Sequence, residues 1–171
     1  MKIKMWLLAA VAVMAMAVQG ENVLFNGDLT QIKGKRASGW ANVGKVNIAL
    51  SGKDGVKPEI GMVKFTAAPG KVTGSIRQNV AKKVVKGQKY RLSANFSGKN
   101  FSAKDYGFML INKNWKGSVG FRRFKLPEGK WSSFSKVVTI PEKWTDVTAV
   151  VFVADMQGEL QVSDIKCEPV K

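Results

Sequence analysis

An antiparallel all-β sandwich or barrel is the fold that the sequence predicts. Short alternating or β-branched runs recur roughly ten times after residue 21, each closed by Gly, Pro, Asn or Asp. Helical periodicity is absent over the same stretch. No internal repeat, low-complexity segment or Pro/Ser-rich linker divides it, so one domain is expected.

The folded part is preceded by a different kind of sequence. Lys2 and Lys4 give a positive start, and Met5–Val18 is an unbroken run of fourteen apolar residues. Small residues then stand where a signal peptidase cuts, after Ala17 or after Gly20. Fourteen residues fall short of the roughly 20 that a spanning helix needs, so residues 1–20 read as a cleaved leader rather than an anchor. The expectation is a secreted or periplasmic protein of residues 21–171, with no membrane anchor after cleavage.

The strands follow in order. Asn22–Phe25 begins like a strand and breaks at Asn26-Gly27-Asp28. Lys45–Leu50 and Gly61–Ala67 are β-branched runs of strand length. In Ser75–Ala81, "SIRQNVA", Gln78 shares a face with Ile76 and Val80. An amide on an apolar face must find partners, and a bound ligand is one way to supply them. Lys89–Asn95, followed by Phe96, puts Tyr90, Leu92, Ala94 and Phe96 on one side and Arg91, Ser93 and Asn95 on the other.

Tyr106–Asn112 and Phe121–Leu126 come next. In "FRRFK" a strand would send Arg122 and Arg123 to opposite faces. Trp131–Ile140 follows the Pro127-Glu128-Gly129 turn. Thr145–Ala154 is apolar on both sets of positions, as in a central strand covered on both faces. Met156-Gln157-Gly158 reads as a turn that would fold Thr145–Ala154 onto Glu159–Cys167 as a closing hairpin.

Composition excludes several chemistries. The chain has no histidine, which removes imidazole acid–base catalysis and His-ligated zinc. The single cysteine, Cys167, can form no internal disulfide and reads as a small buried hydrophobe. The twelve acids are scattered, with no recognisable catalytic pair, so a non-enzyme is favoured. After loss of Lys2 and Lys4, 26 basic residues face 12 acidic ones, a net charge of +14. Such a charge attracts polyanions.

Taken in sequence, "NVLFNGDL" followed by a Trp, "IRQNV…KGQKYRLSANF", "KWSSFSKVVTIP" and "LQVSDIKC" form a pattern. It resembles the landmarks of the secreted carbohydrate-binding modules of families four, nine and twenty-two, from Asn22 to Cys167. The resemblance implies a galactose-binding-like jelly-roll β-sandwich and a non-catalytic role. It implies Trp40 and Trp131 as core packing residues. Many members hold a structural calcium with a Glu where this chain has Thr30 and with the Asp of the final strand, here Asp164. Lacking that Glu, Asp164 is either a remaining calcium ligand or a local backbone cap, and no cofactor is required.

Sugar recognition needs aromatic faces for pyranose C–H groups and planar polar side chains for hydroxyls. Arg77, Asn79, Arg91 and Asn95 are the outward polar candidates on the middle strands, and Gln78 matches the family's strand glutamine. Trp115, in "INKNWKGSVGFRRF", is the candidate aromatic platform, with Tyr106 and Trp144 weaker. Arg122 is the further arginine, since a guanidinium fork grips carboxylate or sulfate in bidentate fashion. The expected partner of this monomer is a polysaccharide or envelope glycan, anionic before neutral. Export and the landmarks argue against nucleic acid. The alternative is a cell-envelope or assembly sandwich that has kept the fold without sugar binding.

Overall fold

The computed structural model describes residues 20–34, 36–45, 47–51, 61–66, 72–113 and 115–171. Residues 1–19 of the expected leader lie outside them. All described regular structure is β, as expected. The strands are β1 (Ile32–Lys33), β2 (Arg36–Ala37), β3 (Ala41–Gly44), β4 (Asn47–Ser51), β5 (Met62–Thr66) and β6 (Val72–Asn79). They continue with β7 (Lys89–Ser102), β8 (Asp105–Asn112), β9 (Gly117–Arg122), β10 (Ser132–Thr139) and β11 (Thr148–Pro169).

Two antiparallel five-stranded layers make the sandwich. The front sheet runs β3-β6-β11-β8-β9, and the back sheet runs β10-β7-β11-β5-β4. β11 belongs to both. Its first half pairs with β6 and β8, and its second half with β7 and β5. The expected hairpin over Met156-Gln157-Gly158 is therefore incorrect. The register shifts between Val153 and Met156, with Asp155 at φ 50° and Gly158 at φ 75°. A bulge there bends the strand from one sheet into the other instead of reversing it. Gly158 is required in that bend, because a Cβ would stand 2.0 Å from the Asn100 carbonyl oxygen.

The core fills the space between the layers. Ile76, Phe108, Leu110, Ala149, Val151 and Val153 face it from the front, and Tyr90, Leu92, Phe96, Leu160, Val162 and Cys167 from the back. Burial of such side chains is the main driving force, at about 25 cal/mol for each Å2 of apolar area removed from water. β9 stops at Arg122, short of the expected Phe121–Leu126 strand. Arg123 takes φ 54° and turns the chain, so Phe124 packs 4.8 Å from Phe96 and 3.8 Å from Phe134, ring centre to ring centre. The Tyr106 hydroxyl donates to the Phe124 carbonyl, and burial pushes its phenol pKa up.

The opening segment departs from expectation in an informative way. Asn22–Phe25 is not a strand. One backbone bond, Val23 N–H to Cys167 O at 2.9 Å, ties it to β11. Side-chain amides do the rest. Asn22 Oδ1 accepts from Leu24 and Cys167 N–H, and its Nδ2 donates to Ile165 O. Asn26, at φ 52°, donates to the carbonyls of Gln31 and Ser38 and accepts from Gln31 N–H. Trp40 is buried as expected, its Nε1 donating to Asn26 O at 3.1 Å. The two ends of the domain lie side by side.

Candidate sugar-binding face

The outward positions of the front sheet are unusually apolar for a surface. Because alternate residues of each strand point away from the core, the register lines up two rows across the five strands. One row is Ala41, Arg77, Val150, Met109 and Gly120; the next is Val43, Ser75, Phe152, Gly107 and Arg122. Met109, Ile111, Val150 and Phe152 form a second buried cluster on this face, separate from the main core. The two-sided apolarity read in Thr145–Ala154 is thus accounted for: one set lines the core and the other this face.

Trp115 lies over that cluster. Its ring meets Phe152 edge-on, with centres 5.2 Å apart at 77°. It sits in the tight β8–β9 turn, where Lys116 N–H returns to the carbonyls of Asn112 and Lys113. Its φ is 66°, a left-handed backbone that bulky residues rarely adopt. Yet 41 % of Trp115 stays exposed, so one large aromatic surface is held in place and left accessible. A cavity of about 280 Å3 opens beside it, lined among others by Val43, Ser75, Arg77, Asp105 and Phe152. On the β9 side a second cavity of about 550 Å3 reaches from Met109, Gly120 and Arg122 round to Lys136 on β10.

Charge is concentrated here. Arg77 Nε donates to Ser75 Oγ at 2.9 Å, which orients the guanidinium and leaves its terminal nitrogens without hydrogen bonds to the described residues. Asp105 Oδ2 receives both Arg122 Nη1 at 3.0 Å and Arg123 Nη2 at 3.1 Å. The expected divergence of Arg122 and Arg123 fails because the strand ends between them. Three guanidiniums thus stand against one carboxylate, and among the described residues Asp105 is the sole acid lining the two cavities.

The structure sorts the sequence candidates by sheet. Arg77, Trp115 and Arg122 come together on the front face. Asn79 is on the same side at the strand end, its Nδ2 donating to Asp146 Oδ1 at 2.8 Å. Gln78 points the other way and is buried. The partners its amide requires are backbone groups of the chain itself, Phe25 N–H and O and Gly39 O, rather than a ligand. Arg91 and Asn95 belong to β7 in the back sheet, away from this face, and Asn95 is buried with Ser133 Oγ donating to it at 2.6 Å. Trp144 and Tyr106 are core residues. Phe152, Ser75 and Asp105 were missed, although the two-sided apolarity of β11 already pointed to Phe152.

Asp164, the expected calcium ligand, is engaged by a cationic side chain. Its carboxylate receives Lys166 Nζ at 3.0 Å, and among the described residues no three His, Cys, Asp or Glu side chains group so as to hold a metal ion. A hard cation needs several oxygen donors, and an ammonium already occupies this one.

No protein-family model and no curated sequence matches the chain. Solved structures do. A xylan-binding family 22 carbohydrate-binding module of Paenibacillus barcinonensis superimposes with a TM-score of 0.65, covering 89 % of this chain and 96 % of that one at 13 % identity. A family 4 carbohydrate-binding module does so with a TM-score of 0.60, covering 85 % and 98 % at 16 % identity. The fold is that of the carbohydrate-binding modules. The enzymatically active domain of bacteriophage CBA120 tailspike protein 4 also matches, with a TM-score of 0.65 and 9 % identity, over 87 % of this chain but only 21 % of that one. The carbohydrate-binding-module architecture therefore holds for nearly the whole sandwich.

Proposed function

We propose that this protein is an exported, non-catalytic carbohydrate-binding module that holds an anionic polysaccharide across the outer face of its front sheet. Trp115 carries the reading: a bulky ring in strained left-handed backbone, braced by Phe152 and left 41 % exposed beside Arg77. Backbone strain of this kind persists only where surrounding structure holds it, and it concentrates at functional positions. Stacking on Trp115 supplies affinity for the apolar face of a sugar ring. Arg77 and Arg122 supply planar donors for a uronate or sulfate, and Ser75 is a hydroxyl beside them.

The five strands lie about 4.8 Å apart, so a ligand crossing them meets a track of roughly 20 Å, long enough for several sugar units. Cleavage by paired carboxylates has no footing here, since Asp105 alone lines the cavities and two arginines hold it. A glycan array probed with the protein tests the reading directly. Retention of uronate-bearing or sulfated polysaccharides, lost in Trp115→Ala, is the expected result. Absence of any glycan ligand would favour the envelope or assembly role instead.

A further inference from the structure

Outside the two front-face cavities, one end of the sandwich combines fixed backbone, exposed lysines and an outward apolar residue. It is built on the β6–β7 loop. Lys83 and Val84 N–H both return to Val80 O, Val85 N–H donates to Tyr90 Oη at 2.8 Å, and Gly87 N–H donates to Ile140 O. Val84 is tucked into the core, which forces its neighbour Val85 outward, where it is 55 % exposed. Lys82, Lys83 and Lys86 surround it in exposed positions, and none pairs with a carboxylate among the described residues.

Two other loops reach the same end. Asn112 Oδ1 accepts from Asp146 N–H, and a Cβ on Gly117 would lie 3.1 Å from Trp144 Nε1. These contacts bring Lys113, Lys116 and Lys143 to the neighbourhood. Four carboxylates, Glu21, Glu142, Asp146 and Glu168, share it with seven lysines once Lys89 is included, so the end stays cationic.

The start of the described chain is here too. Gly20 abuts Pro169, and Val170 N–H donates to Lys89 O. Lys83 lines a cavity of about 350 Å3 with Glu21, Asn22 and Val23. In the sequence, only Gln19 separates Gly20 from the apolar run Met5–Val18.

We infer that this end of the domain docks on an anionic phospholipid bilayer, with Lys82, Lys83 and Lys86 on the lipid phosphates and Val85 entering the headgroup layer. Clustered lysines are drawn to an anionic leaflet, and a single apolar side chain at their centre adds a short-range contact that salt does not screen. The position of Gly20 gives the surface its orientation. A bilayer met at Gly20 also meets the β6–β7 loop, because Lys83 shares a cavity with Glu21, Asn22 and Val23. This surface adjoins the glycan face at the β8–β9 turn, where Lys113 and Lys116 flank Trp115, but Lys82, Lys83, Val85 and Lys86 line neither front-face cavity.

The test uses the chain from Gly20 onward, which carries every strand described above. Val85→Cys labelled with bimane reports on the loop, because Cys167 is wholly buried and stays unlabelled. With vesicles of phosphatidylcholine and phosphatidylglycerol the label is expected to shift to the blue and to be quenched by a lipid-borne quencher. Vesicles of phosphatidylcholine alone should produce neither change. The triple variant Lys82→Glu, Lys83→Glu, Lys86→Glu should weaken vesicle binding at least about tenfold. The variant Lys104→Glu, Lys125→Glu, Lys130→Glu, with the same charge change at the opposite end, should weaken it much less. Equal losses in the two triple variants would overturn the inference, since net charge alone would then drive binding. So would vesicle binding with no spectral shift at position 85. Weakened binding of a soluble anionic polysaccharide by the first variant, with vesicle binding intact, would reassign the loop to glycan.

Discussion

Gln78 clasps the backbone of Phe25 on both sides: its Oε1 accepts from Phe25 N–H at 2.8 Å and its Nε2 donates to Phe25 O at 2.9 Å. The side-chain amide imitates a strand neighbour for a segment that has none. The same Nε2 reaches Gly39 O at 3.2 Å, so one residue of β6 secures both ends of the loop leading to Trp40. Glutamine fits because it alone, with asparagine, carries a donor and an acceptor in the planar arrangement of a peptide.

Gln78→Leu keeps the volume and removes the clasp. Buried backbone groups left without partners cost about 1–3 kcal/mol each, so a total loss of about 2–4 kcal/mol is expected. For a domain of this size that lowers Tm by roughly 5–15 °C, measured by thermal melting. Glycan binding well below the new Tm should be unchanged. Weaker binding at unchanged Tm would show that the amide touches ligand after all.

Trp115→Ala and Trp115→Gly separate the ring from its backbone. Both should weaken polysaccharide binding at every salt concentration, because stacking is not screened. Glycine tolerates φ 66° without the Cβ penalty, so the Gly variant should melt at or above the Ala variant. Binding by affinity gel that survives both changes would remove Trp115 from the site.

Arg77→Ala and Arg91→Ala, equal on the sequence reading, should now differ. Arg77 is on the front face beside Trp115, and Arg91 is on the back sheet. Loss of Arg77 should weaken binding mostly at low salt and flatten its salt dependence, since charge interactions fade beyond a Debye length of about 8 Å at 0.15 M. Loss of Arg91 should leave titrations almost unmoved. The opposite ranking would place the ligand on the back sheet.

Cys167 carries a pH signature. Burial, with a smaller contribution from Glu168, pushes its thiol up to about 12. In the unfolded chain the thiol ionises near 9, so above that pH the unfolded state loses a proton that the native state keeps. Its contribution to stability is complete below about pH 9 and declines as pH rises toward 12. Denaturant melts at rising pH should show a steeper loss for the natural chain than for Cys167→Ala. Parallel curves would contradict the burial argument.

Calcium should leave the domain unmoved. With Lys166 on Asp164, added calcium or chelator is expected to shift Tm by less than about 2 °C, which corresponds to under about 1 kcal/mol. A larger rise with calcium would mean that the ion displaces the ammonium and finds further oxygen donors.

Alternation along single strands was legible without any structure. Tyr90, Leu92, Ala94 and Phe96 entered the core together, and the two-sided apolarity around Val150–Phe152 marked a central strand. Burial of Trp40 was also readable, from resemblance. These are local properties, set by a side-chain period of two and by which residues avoid water.

Membership of a sheet is a different kind of information. Alternation places Arg77 and Arg91 outward from whatever sheet contains each, but says nothing of whether the two sheets are the same. That is decided by pairing between distant segments, here β6 with the first half of β11 and β7 with its second half. Nor could the bulge at Asp155 be told from a turn, because both use residues that accept positive φ and only the neighbouring strands reveal which way the chain leaves. The sequence by itself determined the strands, their inward and outward sets, the missing imidazole chemistry and the basic charge. Tertiary structure alone decided that Arg77, Arg122, Trp115 and Phe152 share one face while Arg91 and Asn95 lie on the other. The physical reason is that face and core follow from local solvent avoidance, whereas a binding site follows from backbone pairing between residues far apart in the chain.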